Sequence, residues 1–401
     1  MLLVSCLPFA SANCRNFEKS APDHNVGGQS GADGSRPGAS GAPHTNAGAG
    51  PSGDEGGAGP SGGEGGARSS GDEGGAGSSG DKGGAGSSGN GGAFGTNGPE
   101  ELPVPYCTLY ADSPAPMLGP AGAVAAATAW SGVGIEAYVT QPELQWIATA
   151  WESAFNSDDW LPWICFDAVP TPRTISAIQL ASGFPEVFVT TASGALFVRR
   201  QIPTGWLPWK QLNLPKVDST ARDVSGVKPR SSRAQLAIAD RDGIYLRAKI
   251  SDDPYSGYGP WRMIGTKLAE RVSIGVLASG SLQVFALTLN GSLSYTVQNS
   301  PMFDADFGEW HDIANHDAAR LIDIDCGYSD ANELILYAVD EHGLLLQRNL
   351  SAGGWWVVVS DVNTPKLLTV SASVGSSTLL GVSISGVVYR YAPGANWIPL
   401  P

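Results

Sequence analysis

Four aromatic residues, Trp160, Trp206, Tyr258 and Phe307, each stand three positions before a tryptophan, where the chain leaves a turn-rich stretch. Arg199, Arg247 and Arg348 recur in strand-like sequence, with Arg200 and Arg390 alongside. An aromatic face packs against the C–H face of a polyhydroxylated ring, and a guanidinium fork donates to adjacent hydroxyls. A carbohydrate is the ligand class that these residue types fit. The competing use is structural: rings packed over a sheet edge, and arginines paired with carboxylates that outnumber the bases by 38 to 24.

Catalytic and metal-binding patterns are sparse. His311 and His316 are five apart, off the spacing of one helix face and next to strand-like sequence, so a zinc pair is not expected. Asp304, Asp306 and Glu309 offer oxygen ligands but do not complete a calcium-loop pattern, and they read as a solvated acidic turn. Asp323 and Asp325 alternate as the polar face of a strand does. No nucleophile elbow, phosphate loop or dinucleotide fingerprint is present. The expectation is a protein that is not an enzyme and needs no metal or cofactor.

The elements that must position the aromatic and Arg residues are repeats. Trp163, Trp209, Trp261, Trp310, Trp356 and Trp397 follow at spacings of 46, 52, 49, 46 and 41 residues, each the length of a four-stranded propeller blade. Within a unit, an alternating strand runs into a turn at Gly194, Gly291 or Gly343 and a second strand leaves it; Asn290-Gly291 is the strongest hairpin signal. A further β-type run precedes each hairpin, as at Ile175 to Leu180, and the tryptophan opens the last strand. A tryptophan present in every unit, with an apolar residue three positions on in most, suits blade-to-blade packing. The expected fold is all-β: a six-bladed β-propeller between about Val124 and Pro401. Leu102 to Tyr110 is a spare segment that either completes the last blade or contributes to a seventh.

Composition divides the chain. All 12 Trp and all 11 Tyr lie after Glu100, whereas 29 of the 53 Gly lie at or before it. Residues 1–14 read as a signal or lipoprotein-type leader: an apolar run closed by small residues, with Leu3-Val4-Ser5-Cys6 resembling a lipobox. Residues 15–100 form a Gly/Ser-rich linker with a nine-residue repeat, expected to be disordered because it carries too little apolar area to offset backbone ordering. Residues 101–401 hold the propeller. Among the cysteines of this part, Cys107 with Cys165 is the favoured pairing, three buried thiols being the alternative, with Cys326 left over.

A net charge of −14 without a basic run argues against nucleic acid. No apolar stretch reaches the length of an ordinary spanning helix, so membrane association would come through a lipid anchor.

The unit of strand, Gly turn, Leu-aromatic strand and Trp-x-x-Trp-x-x-Leu resembles the repeat of bacterial PLL-type propeller lectins and, more loosely, of fungal fucose lectins and tectonins. Trp206-Leu207-Pro208-Trp209-Lys210-Gln211-Leu212 carries the match, with Trp160-Leu161-Pro162-Trp163 next. The resemblance covers about 280 residues and implies carbohydrate binding at several repeats. The sequence departs from that family where a Trp or His is usual after the Gly turn: Phe197, Tyr245, Ser294, Leu346 and Tyr389 stand there, while Gln201 and Gln298 match. Seven units are common in those lectins, against six here. The expected partner is a glycan or glycoprotein met at a bacterial cell surface or after secretion; a propeller that scaffolds another surface protein is the alternative, and a propeller glycosidase the third reading.

Overall fold

The computed structural model describes residues 120–128, 134–154, 159–229, 233–329, 331–350, 354–360, 364–372 and 377–401. The leader, the linker, Cys107 and the segment Leu102 to Tyr110 lie outside them. Six antiparallel sheets follow one another along the chain. Blade 1 comprises β1 (Val124–Thr128), β2 (Ile135–Gln141), β3 (Trp146–Trp151) and β4 (Ile164–Ala168). Blade 2 comprises β5 (Pro172–Gln179), β6 (Pro185–Thr191) and β7 (Leu196–Ile202), with β8 (Gly205–Trp206) and β9 (Lys210–Leu212) both paired to β7. Blade 3 is β10 (Ala221–Val227), β11 (Gln235–Asp240), β12 (Gly243–Ala248) and β13 (Arg262–Gly265). Blade 4 is β14 (Ala269–Val276), β15 (Leu282–Thr288), β16 (Leu293–Val297) and β17 (His311–Ile313). Blade 5 is β18 (Leu321–Tyr328), β19 (Leu334–Asp340), β20 (Leu345–Asn349) and β21 (Val357–Val358). Blade 6 is β22 (Leu367–Ala372), β23 (Leu379–Ser383), β24 (Val388–Tyr391) and β25 (Ile398–Pro399).

The first strand of each blade is innermost. These strands touch in circular order, with β22 back against β1, and the sheets close as a six-bladed propeller. The seven-blade alternative is thereby set aside, and the outer strand of blade 6 comes from the C-terminal residues themselves. Second strands such as β6, β11 and β23 are buried along their whole length because each is covered on both faces by neighbouring blades.

Each repeat tryptophan stands just before the outer strand and packs into an apolar cluster shared with the preceding blade: Trp163 with Leu380 and Val382, Trp261 with Phe188 and Leu196, Trp356 with Phe285 and Leu287. The indole N–H of Trp261 donates to the Asn213 carbonyl at 2.7 Å, and that of Trp356 to the Ala314 carbonyl at 2.8 Å. The spacing of the tryptophans is therefore the spacing of the blade junctions.

The hairpin turns link each blade to the next. Gly194 has φ +83°, and a Cβ there would come within 2.7 Å of Thr220 Cβ, on the chain entering blade 3. The next amide, Ala221 N–H, donates to the Gly194 carbonyl at 2.9 Å. The same device closes the ring, since Ala121 N–H donates to the Gly386 carbonyl at 3.2 Å.

At the axis, polar side chains of one inner strand engage the next. A register shift early in the strand, as between Ala221 and Asp223 or Leu321 and Asp323, places Thr174, Asp223, Arg271, Asp323 and Thr369 at equivalent positions. Asp223 accepts from Val272 N–H at 2.8 Å and Ser225 from Ile274 N–H at 3.2 Å. Asp323 and Asp325 accept from the Val370 and Ala372 amides, each at 2.9 Å, while Arg271 donates to Asp323 at 3.0 Å. Burial pushes Asp323 up to about 7 and Asp325 to about 6, with Arg271 pulling Asp323 the other way. Blade 1 presents alanines here, Ala123 and Ala125. These side chains surround an axial cavity of about 70 Å³.

Candidate functional site

The register of the sheets brings the aromatic residues to one place in four blades. Trp160 pairs with Glu152, Trp206 with Gln201, Tyr258 with Lys249 and Phe307 with Gln298, always at the end of the third strand. Arg199, Arg247 and Arg348 stand two residues earlier on that strand in blades 2, 3 and 5. Trp160, Trp206, Tyr258 and Phe307 all pack against the core shared with the preceding blade. The aromatic and Arg sets read from the sequence thus converge at the blade junctions, but their chemistry differs from one junction to the next.

Arg199, 4% exposed, has its fork committed. Its Nη1 donates to the Phe166 carbonyl at 2.6 Å, its Nε to the Leu207 carbonyl at 3.0 Å, and it pairs with Asp167 at 3.2 Å. The guanidinium lies 4.5 Å from the Phe166 ring, and Trp206 packs edge-on against that ring. Arg247 is half-buried, 4.7 Å from the Trp261 ring and 5.2 Å from Tyr258. Its Nη2 donates to the Tyr258 carbonyl at 3.0 Å, while its Nε has no partner among the described residues. Burial pulls its pKa down to about 10, helped by Arg200. Arg348 lies 6.0 Å from Trp356.

Between blades 2 and 3 a buried carboxylate organises the junction. Glu186 is the second residue of β6 and is fully buried. Lys249 Nζ donates to Glu186 Oε1 at 2.6 Å, Arg200 Nε approaches the same oxygen at 2.7 Å, and the Tyr258 hydroxyl donates to Oε2 at 2.7 Å. Arg200 also reaches the Ser256 carbonyl at 2.7 Å, fixing the loop above. Burial lowers the Lys249 pKa against the pull of Glu186, and raises that of Tyr258. Tyr258, 8% exposed, is part of the wall here.

Gln235 opens β11 at the position that Glu186 holds in β6, eight residues before the turn glycine in each case. It is 1% exposed, and neither its Oε1 nor its Nε2 has a partner among the described residues. The register explains why. Phe307 of blade 4 stands where Tyr258 stands in blade 3 but has no hydroxyl, and Gln298, in place of Lys249, spends its amide on the Leu282 N–H and the Met302 carbonyl. Ala248 and Ala237 replace Arg200 and Phe188. Leaving such an amide unpaired costs about 1–3 kcal/mol. Phe307 is half-buried, packs with Ala237 and Ala239 from the Gln235 face of β11, and has the Arg262 guanidinium 5.6 Å from its ring. Arg262 spends Nη1 and Nη2 on the Asp304 and Ala305 carbonyls at 2.7 and 2.8 Å, which leaves the ring and the unpaired carboxamide as the uncommitted groups of this junction.

Sequence reasoning missed Gln235, Glu186, Lys249 and Arg262. Counting back eight residues from each turn glycine would have aligned Glu186, Gln235, Gln283, Ile335 and Thr378. His311 is exposed on β17 and His316 lies in a short 3₁₀ turn. Among the described residues no group of three or more His, Cys, Asp or Glu gathers where it could hold a metal. Cys165 is disulfide-bonded and Cys326 is a buried free thiol.

The fold defines a six-bladed β-propeller. No protein-family model matches this sequence, and no curated protein matches it. Among solved structures it is similar to the SapL1 lectin in complex with α-methyl fucoside, at 13% identity over 70% of this chain and 95% of that one, with a TM-score of 0.47. It is similar also to the BP39L lectin of Burkholderia pseudomallei, at 15% identity over 69% and 84%, TM-score 0.48. A protein of unknown function from Dyadobacter fermentans matches at 11% identity over 70% and 93%, TM-score 0.49.

Proposed function

We propose that this protein is a non-catalytic, glycan-binding propeller whose best-formed site is the junction of blades 3 and 4. The observation that carries the reading is the unpaired, buried carboxamide of Gln235 on the strand face that packs toward the half-buried ring of Phe307. Sugar hydroxyls would supply the partners that the protein withholds, while the ring takes the C–H face. Arg247, with its free Nε over Trp261, and Arg348, over Trp356, offer further and weaker positions. The ligand is a free glycan or a glycoprotein. The leader and Gly-rich linker fit display from a bacterial cell surface or secretion, where repetition and tethering raise effective concentration.

The test is a glycan array and calorimetric titration of the full chain beside Gln235→Leu. Binding of at least one glycan class that Gln235→Leu weakens about tenfold, a loss of ~1.4 kcal/mol, is the expected result. An array without a hit, and no heat at millimolar ligand, would leave the protein-scaffold reading ahead.

A further inference from the structure

A second groove lies on blade 2, toward the end that carries the Thr191–Ala195 turn. β7 runs from that turn to Gln201, so Phe197 in the groove and the Trp206 position at the far end of the strand are about 13 Å apart. The groove encloses about 760 Å³ and is lined by Phe197 and Trp209, with Gln211 and Asn213 beside them. Trp209 is the repeat tryptophan of its blade and, like Trp163 and Trp397, has an indole N–H without a partner among the described residues. Trp261, Trp310 and Trp356 donate their indole N–H to a carbonyl of the preceding blade. For blade 2 the corresponding carbonyl, that of Phe166, is taken by Arg199.

Blade 4 has a groove at the equivalent place, about 950 Å³, with different chemistry. Ser294 stands where blade 2 has Phe197, and Asp312 where it has Gln211. Those groups satisfy one another: Ser294 donates to Asp312 at 2.6 Å, and Lys267 pairs with the same carboxylate at 3.1 Å. In blade 2 the carboxamides of Gln211 and Asn213 make no hydrogen bond among the described residues, and the charged side chain in the lining, Lys216, is paired with Asp242. Two rings with uncommitted amides and no free charge fit a neutral saccharide.

We infer that the Phe197–Trp209 groove of blade 2 is a second site for a neutral saccharide. It rests on the glycan-binding reading above and extends it, since sites toward both ends of one blade ring allow a single molecule to bridge two glycan chains.

The experiment follows the Trp indole ¹H–¹⁵N resonances of the full chain, with Trp209→Phe used for assignment, during titration with methyl glycosides of glucose, galactose, mannose, fucose and N-acetylglucosamine. The Trp209 resonance should shift saturably with at least one glycoside. The apparent affinity should fall about tenfold, ~1.4 kcal/mol, in Phe197→Ser and in the exposed-site variant Gln211→Ala, and should be unchanged in Gln235→Leu. A Trp209 resonance unmoved by every glycoside, while calorimetry detects binding that Gln235→Leu removes, overturns the groove and leaves the junction site standing. A shift equal in wild type and both groove variants also overturns it. Absence of binding by either readout rejects both sites together.

Discussion

The junctions between blades 2 and 3 and between blades 3 and 4 are built on one backbone plan with opposite outcomes. In the first, Glu186 meets Lys249, Arg200 and the Tyr258 hydroxyl, and every charge is answered within the protein. In the second, Phe307 stands in the place of Tyr258 and two alanines take the place of bulk, so the Gln235 amide is left without a partner among the described residues. A repeat can therefore turn a position from wall into site by changing residues on the neighbouring blade, with no change of backbone. Blade 1 adds a third case, because Glu136 holds the Glu186 position, accepts from Thr149 at 3.0 Å, and has no ion pair among the described residues.

The largest effect should come from breaking the closed junction. Glu186→Gln leaves Lys249 and Arg200 buried without their carboxylate and should cost about 3–5 kcal/mol in urea unfolding. An effect below about 1 kcal/mol would mean that the junction is not closed by charge.

The next test uses pH. Burial pushes Glu136 up to about 7, with its hydrogen bonds opposing. A carboxyl raised in the folded state adds stability that is fully present below its unfolded value and is lost as pH rises through the folded value. Stability should fall by about 2–3 kcal/mol between pH 4 and 7 from this group, and Glu136→Gln should flatten that part of the profile. The axial Asp323 and Asp325 act in the same direction, so the variant removes only one component.

Gln235→Leu replaces an unpaired amide with an apolar group of similar shape and should raise stability by about 1–2 kcal/mol while weakening glycan binding. Equal stability with undiminished binding would remove Gln235 from the site. The smallest change is Phe307→Tyr, which imports the Tyr258 hydroxyl. It should gain about 1 kcal/mol by satisfying Gln235 and should close the site to sugar.

Most of the architecture was legible because its determinants are local and repeated. Gly194, Gly291 and Gly343 mark the hairpins, and the tryptophans mark the junctions, so blade number and strand order follow from counting. The convergence of Trp206 and Arg199 was legible in the same way, as a matter of register. What each residue does there was not, because Arg199 is consumed by the Phe166 carbonyl, a group without a side-chain signature. Gln235 escaped notice because its meaning depends on Phe307, 72 residues further along. The expected role of the spare segment Leu102 to Tyr110 in ring closure lies outside the described residues, among which the Gly386–Ala121 contact brings the last blade to the first.

The axial clamps are unevenly spread around the inner rim. The amides of Val272, Ile274, Val370 and Ala372 are held by side chains of the neighbouring strand. Ala123 and Ala125 can offer no such acceptor to blade 2, and the Thr369 hydroxyl has no partner at the boundary with blade 1. Isotope exchange along the axis should therefore be uneven, with the amides of Val272, Ile274, Val370 and Ala372 taking up deuterium later than the inner-strand amides of β5. A ring nearly six-fold in backbone is thus unequal in the side-chain acceptors that hold its inner strands.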